Sequence, residues 1–274
     1  MEWWQALVLG LVEGLTEYLP VSSTGHLILA ERALGLDASA SAHAFAICIQ
    51  AGAVVAVLGL YAPRVRAMLR GLVGADGRGL RLALCVLTAF APAAVVGVLF
   101  DDKIEQHLFG LWPVVAAWFV GGAAILVVAR LRPARERGAG AELDELNWRL
   151  ALVIGLCQCL ALWPGTSRSL ATIVGGVLVG LRLGAAVEFS FLLGLLTLSA
   201  ATGYKGLSHG AELVSDYGWG ALGIGFATAF VSAWVSVRWM VGYLERRGLE
   251  LFGYWRVGLA AVVALLLALD VLQP

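Results

Sequence analysis

The chain has 274 residues, of which 60% are hydrophobic and only 14% charged, with 34 glycines. That balance excludes an ordinary soluble domain and a disordered chain, and it matches an all-α polytopic membrane protein. The 19 basic and 19 acidic residues cancel, so no global field points to nucleic acid as a partner.

The N-terminal MEWWQALVLG lacks a basic n-region and is expected to belong to the mature fold rather than to a cleaved signal. Residues 3–36 are apolar but interrupted at Pro20-Val-Ser-Ser-Thr-Gly25, which predicts a helix, a polar turn and a second short helix ending near Gly35. Apolar runs at 43–60, 81–100 and 112–130 follow, each within the roughly 17–25 residues that span a bilayer as a helix. After a linker, 131–147, residues 148–182 repeat the broken pattern, with the interruption at Pro164-Gly-Thr-Ser-Arg-Ser169. Runs at 186–204, 217–241 and 254–271 complete six predicted spans. Trp3, Trp4, Trp112, Trp219 and Trp255 lie near span ends and read as an aromatic belt. Cys48, Cys85, Cys157 and Cys159 sit in apolar stretches as small hydrophobes, and Cys157-x-Cys159 has the wrong spacing for a redox or metal motif.

The two broken segments resemble each other. Gly10-Leu11-Val12-Glu13 aligns with Gly155-Leu156-Cys157-Gln158, Tyr18-Leu19-Pro20 with Trp163-Pro164 after a gap, Ser23 with Ser167, Gly35-Leu36 with Gly180-Leu181, and Phe45 with Phe189. The pattern predicts one membrane domain duplicated at about 140 residues per half, with repeats at 1–130 and 148–274 around the linker 131–147. Arg64, Arg66, Arg70, Arg78 and Arg81 follow the first span, Arg130, Arg132, Arg135, Arg137 and Arg149 fill or flank the linker, and Arg238, Arg246, Arg247 and Arg256 surround the last loop. By the positive-inside rule these three regions are cytoplasmic. The alternate loops carry Lys103 and Lys205 amid Asp101, Asp102, Glu105, Glu212 and Asp216, and belong outside. The first broken segment then enters from outside and the second from inside, giving two inverted repeats whose polar breaks are re-entrant and meet near the midplane.

Polar groups in these breaks need a reason, because a charged side chain at bilayer depth costs roughly 2.5–3.5 kcal/mol on insertion scales. Glu13 and Glu17 stand four residues apart on one helix face. Either a divalent cation or a basic partner sits between them, or one retains a proton and carries it. Ser22, Ser23 and Thr24 open the second half-helix and are N-cap residues, while the same helix end aims backbone N–H groups at an anion. Ser167 and Ser169 flank Arg168 in the same way, so two half-helix ends are expected to converge on one anion, with Arg168 supplying a planar fork for phosphate oxygens or simply neutralising the glutamates. His26 is placed to reach the same pocket as acid, base or nucleophile. His43 and Glu188, near the starts of two spans, read as capping or interfacial groups.

EGLTEYLPVSSTGH and PGTSRS resemble the two signature segments of the undecaprenyl-diphosphate phosphatases of bacterial inner membranes, the bacitracin-resistance type, over essentially the whole chain. The resemblance implies hydrolysis of the C55 isoprenoid diphosphate to its monophosphate, recycling the lipid carrier of cell-wall synthesis. It implies a divalent cation, Mg2+ or Ca2+, and matches Glu13 and Glu17 to the acidic pair, Ser23 and His26 to a nucleophile and its neighbour, and Arg168 to an essential arginine. Ser23 is expected to attack the terminal phosphorus, with Ser22, Thr24, Ser167 and Ser169 around the phosphates and the site facing the outer, periplasmic side. Membrane lipids are the other expected partners, and homodimerisation stays open. Leu170 departs from the glycine common at that place, and Gly194-Leu195-Leu196 lacks a proline frequent in the following helix. The alternative reading from architecture alone is a secondary transporter or lipid flippase, since inverted repeats with broken helices serve transport.

Overall fold

A computed structural model describes residues 1–36, 40–108, 110–131 and 139–272, without the side chains at 40–44, 101–102, 105–107, 205, 209–212 and 245. The expectations for His43, Asp101, Asp102, Glu105, Lys205, Glu212, Arg132, Arg135 and Arg137 therefore lie outside the described residues. Ten helices account for the described chain: α1 Trp3–Thr16, α2 Ser23–Ala33, α3 Ala40–Leu60, α4 Ala62–Leu72, α5 Gly77–Leu108, α6 Leu111–Leu131, α7 Trp148–Gln158, α8 Arg168–Leu178, α9 Leu183–Arg247 and α10 Glu250–Ala268.

Five stretches are long and apolar enough to cross a membrane, namely Gly77–Phe100, Leu111–Leu131, Leu183–Ser208, Leu213–Leu244 and Glu250–Ala268; the bent pair Phe45–Leu60 and Ala62–Leu72 makes a sixth. The chain is a multi-pass membrane protein. Its outer faces stay apolar, with Leu99 at 68% and Leu207 at 92% exposure, as lipid contact requires. Helix α9 comprises two arms that meet at Gly218, where φ is 70° and ψ 160°, a conformation suited to glycine.

Local chemistry explains the ends of the half-helices. Helix α1 starts on a capping box in which the Glu2 N–H donates to Gln5 Oε1 at 2.8 Å. Asn147 caps α7 by accepting from the N–H groups of Arg149 and Leu150 at 3.0 and 3.1 Å. Helices α2 and α8 stop identically. The Leu36 N–H reaches back to Glu31 O and the Leu181 N–H to Gly176 O, around Gly35 and Gly180 at φ 67° and 98°.

N-terminal and C-terminal helices are interleaved. Helix α1 packs on the second arm of α9, where a Cβ at Gly10 or Gly14 would overlap the Gly225 or Ala229 carbonyl, and where Ser232 and Ser236 donate to Gly10 O and Gly14 O at 3.3 and 2.9 Å. Helix α7 packs on α5 in the corresponding way, with Gly155 against the Ala89 carbonyl. Small residues let backbones approach in the absence of a hydrophobic force between helices in lipid. Helices α3 and α8 also pack on α9, α4 packs on α5, and α6 pairs with α10.

Three sequence expectations change. The arginine-rich stretch after the first span is a helix, α4, bent by 82° from α3. Arg81 lies within α5 and donates to the carbonyls of Leu146 and Glu145 at 3.1 and 3.2 Å. Arg256 is no loop residue: it is completely buried in α10. Glu188 is paired with Arg64 at 2.7 Å, while Arg64 also reaches Asp144 at 3.4 Å.

Candidate functional site

Each polar turn pivots on a serine in the left-handed region. Ser22 has φ 73° and ψ 101°, and Ser167 has φ 75° and ψ 117°. Such a conformation costs a non-glycine residue about 1–3 kcal/mol and persists only where the surroundings enforce it. Here Trp118 Nε1 donates to Val21 O at 3.1 Å, and Ser169 Oγ to Leu19 O at 2.9 Å. The shared backbone conformation pairs Ser22, not Ser23, with Ser167, so Ser23 and Arg168 each directly follow the left-handed serine of their turn.

That register assembles the site. Ser23 Oγ donates to Glu17 Oε2 at 2.5 Å, and Gln50 Nε2 donates to the same oxygen at 3.2 Å. Arg168 Nη2 lies 3.5 Å from Glu17 Oε1, with both side chains more than nine-tenths buried. Its Nη1 donates to Ser190 O at 3.0 Å, and the guanidinium lies 5.2 Å from the centroid of the Tyr18 ring. Gly194 makes this placement feasible, since a Cβ there would overlap the guanidinium. The departure noted at Gly194 thus has a packing role, and Leu170, 4% exposed, fills the core beside it.

Ser23 and Arg168 face a cavity of about 640 Å³. Its polar end is formed by Glu17, Ser22, Ser23, Thr24, Ser167 and Arg168, and both half-helix N-termini, α2 and α8, border it. Its walls are apolar, with Phe90, Ala93 and Val98 from α5 facing Leu198 and Ala201 from α9. A much smaller chamber of about 50 Å³ adjoins, lined by Glu13, Glu31, Gln50, Ser23 and Thr24. Glu13 is 1% exposed, and among the described residues neither carboxylate oxygen has a hydrogen-bond partner. A buried, unsatisfied carboxylate is expensive, and a hard cation with oxygen ligands would relieve it. Among the described residues no three His, Cys, Asp or Glu side chains are grouped to hold a metal. Besides the Glu31 carboxylate, which also lines the small chamber, the oxygens beside Glu13 and Glu17 are the neutral ones of Gln50, Ser23 and Thr24.

Two expected site residues point elsewhere. His26 lies between Trp118 and Trp255, with ring centroids 5.4 and 6.1 Å away, and it does not line the cavity. Trp255 Nε1 donates to His26 Nε2 at 3.0 Å. An indole nitrogen is only a donor, so Nε2 is the acceptor and Nδ1 carries the proton, donating to Ser22 O at 2.7 Å. Both ring nitrogens are therefore occupied in holding the turn. Ser169 is likewise fully buried, bonded to Leu19 O and 3.0 Å from Ser167 Oγ, and it ties one turn to the other instead of facing an anion. Gln50, Tyr18, Ser190 and Gln158 were missed. Gln50 and Gln158 were detectable as amides inside apolar runs, and Gln158, which lines the cavity, is the counterpart of Glu13.

Comparison with known proteins agrees with this geometry. The chain is 47% identical over 264 residues to an undecaprenyl-diphosphatase of Sorangium cellulosum, covering 96% of this chain and 86% of that protein. It is 44% identical to undecaprenyl-diphosphatase 2 of Rhodospirillum rubrum, covering 94% and 93%. To an undecaprenyl-diphosphatase of Methylococcus capsulatus it is also 44% identical, covering 96% and 94%. The model of the family described as bacitracin resistance protein BacA matches residues 6–262, which include both polar turns and every helix that lines the cavity, and the chain belongs to that family.

Proposed function

We propose that this chain hydrolyses undecaprenyl diphosphate to undecaprenyl phosphate and inorganic phosphate, regenerating the lipid carrier of cell-wall synthesis in a bacterial inner membrane. The names of its relatives support the substrate. The observation that carries the chemistry is the buried contact of Ser23 with Glu17 beside Arg168, at the polar end of a cavity whose walls suit an isoprenoid tail.

The headgroup enters between the two half-helix ends, whose free N–H groups favour phosphate. Ser23 Oγ attacks the terminal phosphorus while its proton passes to Glu17 Oε2. The bond from that phosphorus to the bridging oxygen breaks, and the lipid monophosphate departs with the proton. Glu17, again a carboxylate, takes a proton from water as the water attacks the phosphoserine, and Ser23 recovers a proton as phosphate leaves. Arg168 exchanges its long contact with Glu17 for oxygens of the transferring group. Phosphoryl transfer is mainly a matter of positioning and charge neutralisation, which these groups supply. A divalent cation held by Glu13 and Glu17 with the Gln50 and Thr24 oxygens would offset the charge of the diphosphate.

The apolar walls run toward Val98 and Tyr204, near the ends of the apolar stretches Gly77–Phe100 and Leu183–Ser208 and close in sequence to Lys103 and Lys205. These are the opposite ends from the Arg64, Asp144 and Glu188 cluster, so the positive-inside rule supports an opening on the outer side. Purified protein in detergent should release phosphate from C55 diphosphate. Its failure to do so, in a preparation that binds the lipid, would favour transport over hydrolysis.

A further inference from the structure

Arg256 is a buried cation with no carboxylate among its hydrogen-bond partners. Its Nη2 donates to Gly165 O and to Ala117 O, both at 2.9 Å, and its Nη1 to Pro20 O at 3.5 Å. Pro20 and Gly165 occupy matching places, each two residues before the left-handed serine of its turn. One guanidinium therefore bridges equivalent carbonyls of the two turns and anchors both to α6. Close packing keeps it there, because a Cβ at Gly121 would overlap Nη2.

An uncompensated buried charge is costly, and a carbonyl cluster of this kind forms only if several segments present oxygens together. The turns so joined carry Ser23 and Arg168 immediately downstream. We propose that Arg256 is a positioning residue for the hydrolysis: it sets the separation of the α2 and α8 N-termini, and with it the placement of Ser23 relative to Arg168. The inference rests on the reading of Ser23 and Arg168 as the reacting and phosphate-holding groups. It goes beyond that reading in assigning control of their spacing to a residue that never touches substrate.

A planar fork can serve carbonyls from three segments, whereas a lysine ammonium is a point donor on a flexible stem. Arg256→Lys keeps the charge, so a role limited to charge or bulk predicts recovery and a positioning role predicts none. With the C55 diphosphate in detergent, kcat should fall on the order of 10²-fold in Arg256→Lys and in Arg256→Gln, as for a misplaced reacting group. KM should stay within about threefold, because the apolar contacts to the tail persist. Gly121→Ala, which displaces the guanidinium without removing it, should lower kcat at least about tenfold and keeps the test open if Arg256→Gln does not fold. Wild-type turnover and its loss in Ser23→Ala, measured in parallel, test the site reading separately. Wild-type kcat in Arg256→Lys, or an effect confined to KM in all three variants, would overturn the assignment to Arg256 while leaving the site reading intact.

Discussion

Ser23 Oγ lies 2.5 Å from Glu17 Oε2, across the turn that separates α1 from α2, so the hydroxyl already donates to its prospective proton acceptor. In the proposed reaction, nucleophile and base are thereby paired before substrate arrives. Ser23→Ala should abolish phosphate release while retaining lipid binding, since Arg168 and the helix-end amides remain. Rapid quench with labelled substrate should trap an adduct stable to acid and lost in base, as phosphoserine is. An acid-labile, base-stable adduct would instead indicate phosphohistidine.

His26 is engaged at both ring nitrogens outside the cavity, so its replacement should act through the turn and not through proton transfer. His26→Gln is expected to slow turnover by about tenfold or more, in line with a displaced neighbour, but to leave the shape of the pH–rate profile unchanged. Disappearance of one limb of that profile would return an acid–base role to the imidazole.

Glu13 has no hydrogen-bond partner for either oxygen, which motivates a cation test. Chelation should stop turnover, and Mg2+ or Ca2+ should restore it. In Glu13→Gln the cation concentration for half-maximal activity should rise by at least about tenfold. An unchanged requirement would remove Glu13 from the cation's ligands.

Packing of α1 on α9 gives a stability prediction. In Gly14→Val the added atoms meet Ala229 O and Ser232, so thermal unfolding in detergent should reveal a loss of about 1–3 kcal/mol. Gly258, around which a Cβ meets nothing within 4 Å, is the control, and Gly258→Ala should stay within about 0.5 kcal/mol.

Orientation is testable with single cysteines in a background lacking Cys48, Cys85, Cys157 and Cys159. Labels at Arg70 and Lys103, at opposite ends of the bundle by the arginine asymmetry, should react from opposite sides of the membrane. Reaction of both from one face would refute the outward opening.

The broken segments, the acidic pair and Arg168 were legible in the sequence because polar groups in an apolar chain stand out, and because Pro20 and Pro164 mark where each helix stops. Directions of side chains were not. His26 and Ser169 turn away from the cavity because Ser22 and Ser167 adopt positive φ, which Trp118, Leu19 and Ser169 enforce from distant parts of the chain. The same torsions shift the repeat register by one residue, an ambiguity that alignment across Ser-Ser-Thr and Ser-Arg-Ser could not remove. Arg256, inside the span expected at 254–271, was counted with the arginines at or beside the last loop because the positive-inside rule counts arginines near span ends without knowing which of them fold inward.

The equivalence of Ser23 with Arg168 bears on how such a chain could arise. Two identical copies meeting head to head would place the same residue on both sides of a shared cavity, either a pair of hydroxyls without a cation or a pair of guanidinium groups in mutual repulsion. Under the proposed duplication, fusion of the copies would remove that constraint, because each would carry its own mutational history at the matching place. On that proposal one half would supply the attack, with Glu13 and Glu17, and the other would anchor the anion, with Gln158 where an acid would repel it. Such a chain would hold a single reaction centre, which neither half would reconstitute by pairing with itself.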